Sequence, residues 1–285
     1  MKQFICSLQE APEHLRGTNE YIHNGYRKNF DKYKDCLKSI FVVTNESVNI
    51  WSHLLGSLLF VFLTFSINDF VRGIPETAFI DHVVVTIFCL SFLSCLVLST
   101  TYHIFNCQSR EQAEYCFRLD LAGISVSLCG IYLPSYYYSF VCFPFWRVFY
   151  SGATILLIVV NILVQVMPRR LYVNKLDKRR ILLFVLIGLF GVLPAFHWVV
   201  LNGGIGNPFV RNFLPNVFLM YFITGSAFFF YITKIPEIYR PGAFDYLGAS
   251  HQLWHMFILL AFIWWYLSSF RLIKYVFTTP NLCEL

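Results

Sequence analysis

Apolar residues run without alternation for about 20 positions at a time, and they do so seven times: about Ile50 to Phe70, Val83 to Ile104, Leu119 to Phe140, Trp146 to Met167, Ile181 to Leu201, Phe213 to Ile232 and Ser250 to Leu272. A helix rising 1.5 Å per residue needs about 20 such residues to cross the hydrocarbon core of a bilayer. Barrel strands would instead alternate over about 10 residues. The pattern predicts an all-α membrane protein, with a polar amino-terminal segment over 1–49 and a seven-helix transmembrane domain over 50–285. That leading segment carries no apolar stretch of the signal-peptide kind, and it is too short and charged for a core of its own.

Composition agrees with this reading. The chain is 57% hydrophobic, 19% aromatic and 13% charged, against about 25% charged in soluble domains. The charges it does carry are asymmetric. Seventeen Lys and Arg fall in the amino-terminal segment and in the loops on its side, among them Lys2, Arg27, Lys38, Arg110, Arg169, Arg170, Lys175, Arg180, Lys234 and Arg240, against five on the other side: Arg72, Arg147, Arg211, Arg271 and Lys274. The positive-inside rule then places the amino terminus in the cytoplasm and the carboxyl terminus outside or in a lumen. This is opposite to a G-protein-coupled receptor, whose Asp-Arg-Tyr and Asn-Pro-x-x-Tyr motifs are also missing.

With that topology, His103 at the end of the second segment, Asp120 at the start of the third, and His251 and His255 at the start of the seventh share one depth near the cytoplasmic face. A spacing of four puts His251 and His255 one turn apart on one helical face. Alone, such a pair is more often a hydrogen-bonded packing element. His103 at the same depth turns it toward a metal site, because three imidazoles suit Zn2+ and leave a fourth position for water. A charge inside the bilayer is costly, at about 2.5–3.5 kcal/mol on insertion scales, so Asp120 calls for a partner; a carboxylate there could hold or deprotonate the water. Ser99, one turn before His103, is a second candidate lining residue. His53 is equally readable as packing. His14 and His23 lie in the polar segment, and His82 and His197 lie near the opposite face.

The nine cysteines are an odd number scattered over all regions, so they imply no disulfide framework; a bridge between Cys142 and Cys283 is one open pairing. Pro134 and Pro194 are expected to kink their helices, Tyr136, Tyr137 and Tyr138 to form an interfacial belt, and Glu46 and Asn49 to cap the first helix or bond a neighbour. The glycines of Asn202-Gly203-Gly204-Ile205-Gly206 lack the strand-to-helix setting of a phosphate loop, so neither nucleotide nor nucleic acid is expected as a partner.

Three separated stretches, in order, resemble the motifs of the progestin and adipoQ receptor (PAQR) family: Glu46 and Asn49 leading into Ile50-Trp51-Ser52-His53-Leu54-Leu55-Gly56; Ser99-Thr100-Thr101-Tyr102-His103 with Asp120; and Pro236-Glu237 with Pro241-Gly242 before Ser250-His251-Gln252-Leu253-Trp254-His255. The resemblance implies seven helices with a cytoplasmic amino terminus, zinc held by His103, His251 and His255, and Asp120 contacting the bound water. His197 to Gly206 and Tyr246 to Gln252 look most like the Raf-kinase-trapping-to-Golgi branch. That implies a Golgi membrane scaffold binding a cytoplasmic kinase through residues 1–49. The bare residues there, basic with Tyr21, Tyr26, Phe30 and Tyr33, read first as a membrane-lipid contact, worth about 1 kcal/mol per basic residue near anionic lipid.

Three functions follow from these readings. The first is a zinc-containing receptor or Golgi scaffold acting on cytoplasmic signalling. The second is a zinc-dependent intramembrane hydrolase of a lipid amide such as ceramide, with Asp120 and Ser99 as its catalytic residues. The third is a receptor for a steroid or other lipid ligand.

Overall fold

The computed structural model describes residues 4–16, 19–167 and 178–284; Lys2, Arg169, Arg170 and Lys175, counted above among the basic residues, lie outside the described residues. Seven helical spans long and apolar enough to cross a membrane make up most of the chain. Two short strands, β1 (Ile5–Cys6) and β2 (Tyr26–Arg27), pair antiparallel in the leading segment beside the short helices α1 (Glu13–Arg16) and α2 (Tyr33–Lys38). The spans are α3 (Ser47–Arg72), α4 (Phe79–Phe105), α5 (Arg110–Ser139), α6 (Pro144–Val166), the pair α7 (Lys178–Phe190) and α8 (Val192–Leu201), α9 (Pro208–Thr233) and α10 (Ser250–Thr278). Most run a few residues past the apolar limits, and polar side chains cap two of them. The Ser109 hydroxyl accepts from Gln112 N at 3.1 Å at the start of α5. Asn207 Oδ1 accepts from Phe209 N at 2.8 Å at the start of α9, with Pro208 at the first helical position, where no N–H is needed.

The expected single fifth helix is two. Pro194 has no N–H for the Phe190 carbonyl and its ring crowds that oxygen, and the regular helix is interrupted at Gly191, although the backbone there keeps right-handed helical angles, φ −63° and ψ −19°. Tyrosine hydroxyls compensate for the broken ladder: Tyr132 donates to Ile187 O at 3.0 Å and Tyr221 to Gly188 O at 2.9 Å. A Cβ at Gly191 would lie 2.6 Å from the Tyr132 hydroxyl oxygen, so only glycine allows this approach. By contrast, α5 runs unbroken through Pro134.

Helices α3, α4, α5 and α10 pack closely. Phe92 stacks on Phe262 with ring centroids 4.1 Å apart, and Phe60 meets Phe92 edge-on at 5.6 Å. Gly130 lets α5 press against α4, since a Cβ there would fall 1.7 Å from Ser91 Oγ. Tyr136 and Tyr138 do not form an interfacial belt: both are buried, because Asp81 at the start of α4 accepts the Tyr138 hydroxyl at 3.2 Å and Tyr136 turns into the bundle. Cys142 and Cys283 are disulfide-bonded, joining the α5–α6 turn to the carboxyl-terminal residues.

The amino-terminal segment lies under the bundle and shares its hydrophobic cluster with the helix ends. Cys6, Leu15, Ile22, Tyr26 and Phe30 are buried together with Ile50, Ile104 and Ala249. Polar ties fasten the same contact: His23 N and Asn24 Nδ2 donate to the Asp245 carboxylate at 2.8 and 2.9 Å, and Asn19 Nδ2 to Glu237 at 2.8 Å. Glu237 in turn accepts the backbone N–H of Ser250 at 2.7 Å and the Ser250 hydroxyl, which places a carboxylate on the positive end of α10.

Candidate metal centre

The last turn of α4 and the first two turns of α10 bring His103, His251 and His255 together, with one ligand atom from each within 4.8 Å of the others. Their ring centroids are 4.7 to 5.3 Å apart, and His103 and His255 are almost wholly buried. His251 and His255 hold their Nε2 atoms 3.3 Å apart. Two nitrogens each about 2.0–2.1 Å from a tetrahedral ion lie about 3.3–3.4 Å apart, so the spacing fits one. His103 Nε2 finds no hydrogen-bond partner among the described residues, and a buried imidazole nitrogen left without one is costly. The donor set, the Nε2 spacing and the orphaned His103 nitrogen therefore fit a metal ion that favours imidazole.

The other ring nitrogen of His103 is engaged. Nδ1 lies 2.7 Å from Glu46 Oε2, the arrangement that leaves Nε2 free as a ligand. Glu46 also accepts from Asn49 Nδ2 at 2.7 Å and Asn106 Nδ2 at 2.9 Å. Glu46 is thus the partner of a candidate ligand and Asn49 a partner of Glu46; no side-chain cap is made at the start of α3.

Asp120 and Ser99 line the same cavity as the three histidines. Asp120 stands outside the group of converging ligand atoms. His53 packs its ring on His255, with centroids 4.0 Å apart, and also stays outside that group. His82 and His197 are far off, bonded to Asn68 and Tyr150. Sequence reasoning missed Arg27 and Asn106. Arg27 is 1% exposed and donates to the carbonyls of Ile104, at 2.9 Å, and His103, to Asn106 Oδ1 at 2.8 Å and to Ser39 Oγ at 2.8 Å. One arginine among seven basic residues of a polar segment carried no local sign of this.

The histidines line one end of a cavity of about 840 Å3 that follows α10 from His251 to Leu272. Its middle is apolar, with Ile124, Leu128, Ile131, Ile258 and Phe262 among the walls, and its floor is made by Asn19, Ile22 and Tyr26 of the amino-terminal segment. Lys234, just past α9, lines it too, with its ammonium 4.8 Å from the centre of the Tyr231 ring.

The haemolysin-III-related family model matches residues 41–266, which contain the three histidines. Progestin and adipoQ receptor family member 3 of Homo sapiens is 39% identical over 279 residues, covering 97% of this chain and 88% of that protein. Heptahelical transmembrane protein 1 of Arabidopsis thaliana is 34% identical over 266 residues, covering 90% and 77%, and the adiponectin receptor protein of Drosophila melanogaster is 30% identical over 257 residues, covering 90% and 57%. Seven spanning helices, three ordered motifs and these likenesses make the chain a member of the haemolysin-III-related family, that of the progestin and adipoQ receptors.

Proposed function

We propose that this is a zinc-containing receptor or membrane scaffold, with Zn2+ held by His103, His251 and His255 and a lipid in the cavity beside them. The observation that carries the reading is the meeting of three imidazoles, two buried and one partly buried, with ligand atoms within 4.8 Å, beside a chamber whose walls are mostly apolar. The amino-terminal face is the cytoplasmic one, supported by the basic-residue excess and by the oxidised Cys142–Cys283 pair on the opposite face, since disulfides persist in oxidising compartments. On that face residues 1–49 would meet a cytoplasmic partner of the kinase type. This partner and a Golgi location follow from likeness to the Raf-kinase-trapping branch.

Zinc content of the detergent-purified chain tests the centre. One zinc per chain is expected, and none in a His251→Ala, His255→Ala double variant that still folds; a folded wild type without zinc overturns the reading.

A second reading, hydrolysis of a lipid amide such as ceramide, is favoured by Asp120 and Ser99 standing together beside the histidines. Zinc, when bound, supplies a Lewis acid and lowers the pKa of a coordinated water toward about 7. Asp120 is placed to take a proton there, Ser99 to orient the Asp120 carboxylate, and the apolar walls to align an acyl chain and exclude bulk water. Product formation from ceramide by wild type, lost in Asp120→Asn with zinc retained, would establish the hydrolase. A saturable rise in thermal stability with a steroid or fatty lipid and no product would establish a ligand receptor.

A further inference from the structure

We infer that Glu46 and Arg27 are positioning residues which make the amino-terminal segment a working part of the metal centre, so that metal binding and the ordering of that segment rise and fall together. The inference rests on the zinc reading above.

The chain of contacts is continuous. Glu46 receives His103 Nδ1 at 2.7 Å and so fixes both the tautomer and the direction of the imidazole. Its other oxygen accepts from Asn106 Nδ2 at 2.9 Å, and Asn106 Oδ1 accepts from Arg27 at 2.8 Å. Arg27 also closes the last turn of α4 by donating to the carbonyls of His103 and Ile104, groups that an α-helix leaves unpaired at its end. The guanidinium therefore holds the ligand-bearing turn twice, through its backbone and through the carboxylate that aims its ring.

Arg27 sits in β2 and is itself held by the segment. Ser39 Oγ takes one of its hydrogen bonds at 2.8 Å, and the neighbouring residues are buried against the helix ends. A guanidinium with 1% exposure has no water to fall back on. If the segment lifts, Arg27 leaves with it, and Asn106, Glu46 and two carbonyls lose their donor or their support together. Coupling of this kind is reciprocal: whatever draws the segment away weakens the metal, and loss of the metal loosens the segment.

The experiment compares wild type, Glu46→Gln, Arg27→Lys and, as a surface control, Lys28→Gln, each as the full chain in detergent. Zinc retention is read against a graded chelator, and tryptic cleavage of the stretch from Lys28 to Lys38 is read with and without that chelator. Glu46→Gln keeps the volume of the side chain and Arg27→Lys its charge, which favours folding. Outer partners of metal ligands are generally worth about 10–100-fold in affinity, so both variants are expected to release zinc at about 10–100-fold lower chelator strength than wild type and Lys28→Gln. Wild type is expected to become sensitive to trypsin in that stretch once stripped. A zinc-loaded wild type whose two variants hold metal equally well, or whose segment resists trypsin equally with and without zinc, overturns the inference and leaves the zinc reading standing. Wild type without zinc overturns both. Should both variants fail to fold, the wild-type cleavage comparison alone decides.

Discussion

One side of the bundle is dense and the other is open; the candidate ligands stand on the dense side, and the cavity lies between the two. Half of the apolar window of α4 is buried, 50%, against 17% in α9 and 22% across α7 and α8. All three candidate ligands stand on α4 and α10, whereas α7, α8 and α9 supply wall residues such as Phe184, Trp198, Val217 and Tyr221. In lipid, apolar burial gives helices little reason to associate, so close packing depends on small residues and interlocking rings. The dense side has both, in Gly130 against Ser91 and in the Phe60, Phe92 and Phe262 cluster. Fixed distances between side chains, such as those among the three histidines, are thus held on the dense side.

The largest test of this contrast is Phe92→Ala, expected to destabilise by about 3–5 kcal/mol, while Phe222→Ala on the exposed face of α9 stays within about 0.5 kcal/mol. Thermal unfolding in one detergent reads both, and equal losses would erase the distinction. Next is Gly130→Ala. Its new Cβ would be 2.8 Å from Ser91 Cβ, a contact that rotation of the hydroxyl cannot relieve, and a loss of about 1–3 kcal/mol is expected. Smaller again is Tyr132→Phe, which removes the donor to the Ile187 carbonyl beside the Gly191 break; about 0.5–1.5 kcal/mol should go, and no change in melting temperature would mean that another group takes over. The smallest effect is expected of Gly225→Ala on α9. No atom lies within 4 Å of its new Cβ, so helix propensity alone should decide and give a gain of up to about 1 kcal/mol. A loss there would show that the open side is more tightly held than its burial implies.

What could be read from the sequence follows from how local each constraint is. The seven spans were legible because a backbone in hydrocarbon must satisfy its own hydrogen bonds, which forces long unbroken apolar runs. The i, i+4 pair His251 and His255, with His103 at matching depth, was legible for a similar reason: helical geometry and the charge count set their positions without any packing detail. Arg27 and Asn106 were not legible. Their roles depend on how a polar segment folds back under helices more than 70 residues away in the chain. The fate of Tyr136 and Tyr138 was misread for the same reason, since Asp81 from another helix draws Tyr138 inward. Pro194 announced a disturbance of the fifth span; that it would appear at Gly191 depended on two tyrosines from α5 and α9.

The break at Gly191 has a mechanical consequence. An unbroken span behaves as a stiff rod, so a push at one end tilts the other. At Gly191 the regular helix is interrupted while the backbone stays right-handed helical, so the middle of the fifth span leans on its neighbours: hydroxyls from α5 and α9 hold the Ile187 and Gly188 carbonyls on one side, and Trp198, set edge-on to Phe209 at 5.2 Å, is buried on the other. A shift of α5 or α9 is therefore passed to the middle of this span and not only to its ends.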